Sequence, residues 1–177
     1  MIHYSPNHIA VAALVLAAAV TDYRSRRIPN WLTLSGFCAG LLLHGMSGGL
    51  AGAGTSLLGA ALAFAIYLVL YALRAMGAGD VKLMAALGAL VGPGDWMVVF
   101  IAAALAGGLL ACCMMVWKGR VYETLWNTWF IVNELVRFRA PYVRRVDLDV
   151  KAPEALNMPY GVAIAVGTLA CLFTARI

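Results

Sequence analysis

Two aspartates border strongly apolar stretches of this chain, and their positions favour acid–base chemistry. Asp80 lies in the string Gly77-Ala78-Gly79-Asp80-Val81-Lys82, between two apolar segments, and Asp22 ends another apolar segment. A carboxylate near membrane depth costs about 3 kcal/mol or more unless it is paired or hydrated, so such a residue indicates a functional site. Gly77 and Gly79 leave room for another backbone to approach Asp80.

Two carboxylates at the same depth can act as a pair. When they lie close together they do not both ionise easily, so they share one proton. The ionised carboxylate can take a proton from a water that attacks a peptide carbonyl, and the protonated one can donate to the carbonyl oxygen. Asp22 and Asp80 are therefore predicted to be a catalytic pair that needs no metal and no other cofactor. The three histidines (His3, His8 and His44) are expected on the opposite side of the membrane and offer no convincing ligand set.

Each aspartate also has a simpler interpretation as a structural charge. Asp22 can be an interfacial residue at a helix end, and Asp80 can cap the start of its helix, where the N-terminus favours an acid. The basic residues that could pair with them are Arg24 and Arg26 for Asp22, and Arg74 and Lys82 for Asp80.

The composition predicts a polytopic, all-α membrane protein. The chain has 177 residues, of which 63% are hydrophobic and only 12% are charged, which is too apolar for a soluble domain. We expect one membrane-embedded domain over residues 1–177, without a cleavable signal peptide, because the N-terminus lacks basic residues. Six apolar spans are predicted, at residues 9–21, 31–46, 55–73, 77–93, 96–117 and 158–175.

The basic residues predict the orientation of these spans. With both termini on the outer side, every Lys and Arg except Arg176 falls on the inner side, as the positive-inside rule requires. The net charge of +5 is therefore attributed to topology and not to nucleic-acid binding. The fourth span is short, about 24 Å as a helix, so the Asp80 end is expected to dip below the inner surface. Both aspartates then lie near the cytoplasmic boundary.

Residues 118–157 form the only long polar segment. Apolar residues recur there at helical spacing from Val121 to Val136, which predicts an amphipathic helix on the inner membrane face, between spans five and six. A helix packed against the other spans is the alternative. The four cysteines form no Cys-x-x-Cys pair and are expected to be reduced and buried.

Three strings carry a family resemblance. Asp22 followed by Arg26-Arg27-Ile28-Pro29-Asn30, the Gly77-to-Lys82 string, and Pro159-Tyr160-Gly161-Val162-Ala163-Ile164-Ala165 together resemble the type IV prepilin peptidases, which are intramembrane aspartyl proteases. The resemblance extends over most of the chain, in the expected order. It implies removal of a basic leader from prepilins at the cytoplasmic face of the bacterial inner membrane, with Asp22 and Asp80 as the catalytic residues.

The resemblance also has implications for N-methylation and for the binding partners. Longer members methylate the new N-terminus and carry Cys-x-x-Cys pairs between the first spans, which this chain lacks, so methylation is not expected. The small size is similar to the peptidases of Flp-type, tight-adherence pili, and archaeal preflagellin peptidases are the related alternative. The expected partners are a prepilin and the lipid bilayer, with no nucleic acid.

Weaker expectations concern residues around the aspartates. Gly77 and Gly79 would admit the substrate backbone, and Lys82 and Arg27 would orient the site or serve as inner-face anchors. Pro29 and Asn30 restart the chain, and Asn30 is expected to cap the second span or to bond to substrate. Two functions of other classes stay open, a small transporter with the acids as relays and a non-enzymatic assembly factor with the acids in ion pairs.

Overall fold

The computed structural model describes residues 6–73, 76–119, 121–136 and 160–174, and nearly all of these residues are helical. The five helices are α1 (Pro6–Ser25), α2 (Asn30–Ala72), α3 (Ala78–Trp117), α4 (Val121–Val136) and α5 (Tyr160–Phe173). The prediction of an all-α protein is confirmed for this part of the chain. Within it, α2 and α3 are long and apolar enough to cross a membrane.

Helix α2 is interrupted at Gly49, which has a φ of 57° and a ψ of −142°. A positive φ is open to glycine without the steric cost that other residues meet. Gly40 packs on the backbone of Ala89, and the Ser56 hydroxyl donates a 2.9 Å hydrogen bond to the carbonyl oxygen of the same residue. An unbroken helix would hold Gly40 and Ser56 about 24 Å apart, so α2 folds back on itself at Gly49.

Helix α3 is interrupted in the same way at Gly92, which has a φ of 80° and precedes Pro93. Tyr67 packs edge-on against Trp96, with 6.3 Å between the ring centroids, and also interacts electrostatically with Asp80. Asp80 and Trp96 would lie about 24 Å apart along a straight helix. Helix α3 therefore folds back at Gly92.

The described residues thus form six apolar helical segments, each of which overlaps one of the predicted spans in sequence; that all six cross a membrane stays a prediction. They are α1, the arms of α2 (residues 30–48 and 50–72), the arms of α3 (residues 78–91 and 93–117), and α5. The first arm of α3 and helix α5 are the two shortest of these segments, each at about 21 Å as a helix. This agrees with the short fourth span that the sequence predicts.

Small residues allow the segments to pack closely. A Cβ atom at Gly88 would overlap the backbone of Gly59, and one at Gly59 would overlap that of Gly88. Gly167 on α5 fits against the backbone of Ala103 in the same manner. Close approach at small residues is a common way for helices to associate in a membrane. Helix α5 packs against both α1 and α3 and so joins the two ends of the chain.

The prediction that the cysteines are buried is wrong for three of them. Cys171 is buried, but Cys38, Cys112 and Cys113 are exposed on the outside of the helices. In a bilayer the outward face contacts lipid, which is as apolar as a protein core, so burial is not needed to accommodate a small apolar side chain there.

Helix α4 occupies part of the polar segment 118–157, and residues 137–157 lie outside the described part of the chain. It touches α3, and its exposed apolar side chains include Trp126 and Trp129, whose rings lie 5.5 Å apart. The predicted helix is therefore present. Its exposed aromatic side chains favour the interfacial interpretation over packing against the other spans.

Candidate active site

Asp80 is held by the first turn of α3. The chain enters this helix through Gly77, whose main-chain N–H donates to Oδ2 of Asp80 over 3.3 Å. The N–H of Asp80 in turn donates to the carbonyl oxygen of Gly77 over 3.2 Å. Asp80 therefore does cap its own helix, which was its simpler interpretation. The carboxylate is only 8% exposed, however, which is unusual for a residue whose sole role is a surface cap.

Asp22 is held by a residue distant in sequence. It lies in the last turn of α1 and is also 8% exposed. The main-chain N–H of Gly161, in the first turn of α5, donates to Oδ2 of Asp22 over 2.8 Å. The first N–H groups of a helix have no partner within it, and its N-terminus favours a negative charge. The start of α5 is thus well suited to receive this carboxylate.

Only glycine fits at position 161. A Cβ atom there would lie 2.9 Å from Cβ and 2.9 Å from Oδ2 of Asp22. Such distances are shorter than real contacts of this kind, so any side chain at 161 would displace the carboxylate.

The fold brings the two aspartates together at one end of the helices. Asp22 and Asp80 lie close enough to interact electrostatically. Ile28, in the connection between α1 and α2, lies against Gly79, where an added Cβ would be 3.3 Å from the Ile28 Cβ. This contact fixes the end of α1 beside the start of α3. Between the two carboxyl groups themselves there is no direct hydrogen bond, so each keeps one oxygen, Oδ1, that makes no hydrogen bond within the described residues.

Only some of the ion pairs expected between the basic residues and the two aspartates are present. Arg26 interacts electrostatically with Asp22, which agrees with one of the expected ion pairs. Lys82 does not turn to Asp80, because its Nζ donates a 2.8 Å hydrogen bond to Oδ1 of Asn30. Arg74 lies outside the described residues. The side chain of Arg27 is exposed.

The expectation that Asn30 caps α2 is wrong. The N-cap residue is Pro29, which has an extended conformation and no side-chain hydrogen bond to the helix. Its carbonyl oxygen accepts from the N–H of Leu32 over 3.2 Å. Asn30 is the first helical residue and instead binds Lys82, which ties the start of α2 to the first turn of α3. Gly77 remains exposed, whereas Gly79 is covered by Ile28.

Two tyrosines complete the surroundings of Asp80. Tyr67, on the second arm of α2, and Tyr160, at the start of α5, both interact electrostatically with it. Neither tyrosine was predicted from the sequence to be a site residue. Tyr160 and Gly161 could have been found from the string at residues 159–165, which resembles the final span of the peptidase family. A single tyrosine in an apolar segment, such as Tyr67, gives no such signal.

Among the described residues, no group of three or more His, Cys, Asp or Glu side chains lies close enough together to hold a metal ion. In this part of the chain, the polar groups at the site are the two carboxylates, the two tyrosine hydroxyls and the main-chain N–H groups of the two glycines.

The described part of the chain is an apolar, all-helical fold in which two buried aspartates lie within electrostatic range of each other. The comparison with known families identifies the class of protein. Residues 9–112 match the model of the type IV leader peptidase family, which covers more than half of the chain and includes both aspartates. The chain belongs to this peptidase family. No curated protein and no solved structure matches it.

Proposed function

We propose that this protein is an aspartyl endopeptidase that removes the N-terminal leader of type IV prepilins at the cytoplasmic membrane face. The observation that carries the proposal is that Asp22 and Asp80 lie within electrostatic range of each other. They come from different helices, are both buried, and are each held by a glycine N–H. An arrangement of this kind is costly near a membrane unless it serves a function.

The geometry suggests how the pair would work. Main-chain amides fix Oδ2 of each aspartate, which leaves Oδ1 of each free to face a substrate. With one proton shared between them, the ionised carboxylate takes a proton from water as the water oxygen bonds to the scissile carbonyl carbon. The protonated carboxyl group donates to the carbonyl oxygen. When the C–N bond breaks, one carboxyl group gives its proton to the leaving amine. The other carboxylate takes a proton from a hydroxyl of the tetrahedral intermediate as the C=O bond re-forms, so the pair again holds one proton.

The same proposal includes a six-span topology with both termini on the outer side of the bacterial plasma membrane. The end of the bundle that holds Asp22 and Asp80 also carries Arg24, Arg26 and Lys82, as a cytoplasmic face should. The turns at Gly49 and Gly92 would then lie on the outer side. The short first arm of α3 would let water reach Asp80 from the cytoplasm.

The connection between α1 and α2 supports a peptidase without N-methylation. It spans only residues 26–29, so no cysteine-rich region can stand there. We therefore assign the chain to the short peptidases that serve Flp-type, tight-adherence pili, with a pilin-like membrane protein as the substrate. Preflagellin cleavage would use the same residues on a different substrate.

A proton or ion relay is not favoured by the structure. A relay needs ionisable groups along the whole crossing. Among the described residues the buried acidic or basic side chains are Asp22 and Asp80, and both lie at one end. An assembly factor with the acids in ion pairs is the other alternative. Arg26 interacts electrostatically with Asp22, whereas Lys82 bonds Asn30 and not Asp80, so the cleavage test below distinguishes this alternative from a peptidase.

The test is cleavage by variants with isosteric, neutral side chains. Each variant would be co-expressed with small pilin-like proteins from the same genome, and leader loss would be followed on a gel. Asp22→Asn and Asp80→Asn should each lower cleavage by about 100-fold to 10,000-fold, the range for loss of an acid–base group. Asp95→Asn is the matched control, because Asp95 is exposed beside the Gly92 turn. Normal processing by either active-site variant would refute the proposal.

A further inference from the structure

A groove of about 320 Å³ opens beside Asp80, between the second arms of α2 and α3 and the start of α5. Tyr67 and Tyr160 line its head, and both interact electrostatically with Asp80. Met76, which precedes Gly77 at the entry to α3, lines the same part. Neither aspartate lines the groove itself, but its two tyrosines place it close to Asp80.

The long wall of the groove is made of small residues on the second arm of α3. Ala104, Gly107, Gly108 and Ala111 recur three to four positions apart, and so lie on one face of the helix. An added Cβ would meet nothing within 4 Å at Gly108, and only Ala163, at 3.7 Å, at Gly107. From Ala103 to Ala111 this wall is about 12 Å long, which equals two turns of a helix.

The Tyr67 hydroxyl at the groove can form a hydrogen bond with a bound ligand. Tyr67 is only 2% exposed, and its hydroxyl makes no hydrogen bond with a described residue. Among the described residues, the enclosed side-chain polar atom that lacks a partner is Nε1 of Trp96 and not the Tyr67 hydroxyl, so this hydroxyl is not fully enclosed. The ring is held in place by Trp96 and by Phe100, with centroids 6.3 Å and 5.9 Å away. A fixed hydroxyl at the head of an apolar groove suits a ligand with a polar end and an apolar body.

We propose that this groove binds the first two helical turns of the substrate's apolar segment, so that the peptide bond to be cut passes Tyr67 and Tyr160 on its way to Asp22 and Asp80. The proposal rests on the proposed leader peptidase function. The occupant follows from the chemistry of the groove. An apolar helix can pack closely on a wall of small residues. The extended peptide that precedes this helix has main-chain carbonyl groups that the tyrosine hydroxyls can reach.

A second groove of the same volume serves as the internal comparison. It is lined by Asn30, Phe37, Phe64, Lys82 and Ala85, between α2 and the first arm of α3. Neither aspartate lines either groove, but the two tyrosines that interact electrostatically with Asp80 line the first groove and not the second. In the second groove, Lys82 and Asn30 are hydrogen-bonded to each other. A substrate bound there would not pass the two tyrosines.

The experiment fills each groove with one leucine side chain. Gly108→Leu places it where the structure has open space, so the helix is not strained, and leucine is the better helix former. We expect cleavage of a co-expressed pilin-like protein to fall about 10-fold or more. Gly54→Leu is the matched control, because Gly54 is also helical and also faces open space. Ala85→Leu fills the second groove, and both of these variants should cleave normally.

A second measurement reports binding without cleavage. A photo-crosslinking amino acid would replace Ala111 or Ala85 in the Asp80→Asn protein, and the substrate adduct would be followed on a gel. Adducts should form from position 111 and not from position 85. If the wild-type protein fails to cut any pilin-like protein, the proposed function is wrong. If it cuts but Gly108→Leu cuts equally well, or if adducts form only from position 85, the groove assignment alone is wrong.

Discussion

The substitution Gly161→Ala tests the least expected contact in the site. It adds a single methyl group at the start of α5, and it leaves both aspartates in the chain. That methyl group would lie 2.9 Å from Cβ and Oδ2 of Asp22. Because the Asp22 Cβ is bound to the backbone of α1, the conflict cannot be relieved by rotating the end of a flexible side chain. Either the carboxylate or the start of α5 has to move.

The size of the effect can be worked out from the bond that is lost. The 2.8 Å hydrogen bond from the Gly161 N–H to Asp22 has a charged acceptor, and such bonds contribute about 1.5–3 kcal/mol. If the bond is needed to hold Asp22 in its reactive position, its loss lowers the cleavage rate by about 10-fold to 100-fold. Displacement of a catalytic group by about 1 Å has an effect of similar size. Overpacking separately lowers the free energy of unfolding by about 1–3 kcal/mol.

Gly167→Ala separates these two effects. Its added methyl group would lie 2.5 Å from the backbone nitrogen of Ala103, in the same helix but away from both aspartates. This variant should be destabilised at least as much as Gly161→Ala while it keeps near-normal cleavage per folded molecule. The assay is the initial rate of leader removal by protein purified in detergent, divided by the folded fraction from a thermal unfolding curve.

Two outcomes would refute this reasoning. Normal cleavage per folded molecule by Gly161→Ala would mean that the contact with Asp22 is not needed for the reaction. Equal loss per folded molecule in both glycine variants would mean that the effect reports general packing of α5 and not the position of the carboxylate.

The remaining predictions concern packing and the second polar contact. Gly88→Ala should decrease the free energy of unfolding by about 1–3 kcal/mol, because its methyl group would overlap the backbone of Gly59. The decrease would be measured as a lower thermal unfolding temperature. Gly54→Ala, which faces open space, should be neutral or slightly stabilising, and an equal loss in both would contradict this account of the packing. Lys82→Met should lower cleavage less than 10-fold, because the exposed bond to Asn30 contributes about 0.5–1.5 kcal/mol. Asn30→Ala should have the same effect, and the double variant should lose no more than either single one. A loss of 100-fold or more would instead place Lys82 at the reacting atoms.

The sequence predicted those parts of the site whose cause is local. The helix start that holds Asp80 is encoded by consecutive residues. The break at Gly49 falls between the second and third predicted spans, and the break at Gly92 falls near the predicted end of the fourth. The pairing of Asp22 with Asp80 could be predicted because few acids border apolar segments on the same side. Each of these inferences needed only a short stretch of chain or a count of charges.

The parts that the sequence did not predict depend on contacts between distant residues. Gly161 binds a carboxylate 139 residues away, and no local pattern specifies that partner. Asn30 was expected to cap its helix because asparagine commonly does so, but Lys82 from another helix takes its side-chain oxygen. All four cysteines were expected to be buried because an apolar residue usually is. Three of them are exposed, because an outward position in a bilayer is equally apolar.

The bond between Gly161 and Asp22 also sets the order in which the protein can become active. A ribosome makes Asp22 early and the first turn of α5 139 residues later. During most of synthesis, therefore, the carboxylate of Asp22 lacks the donor that holds it, even after the first helices have entered the membrane. If Asp22 and Asp80 form the active site as proposed, the nascent chain would complete it only when α5 has packed against α1 and α3, so the incomplete chain would be inactive as a protease.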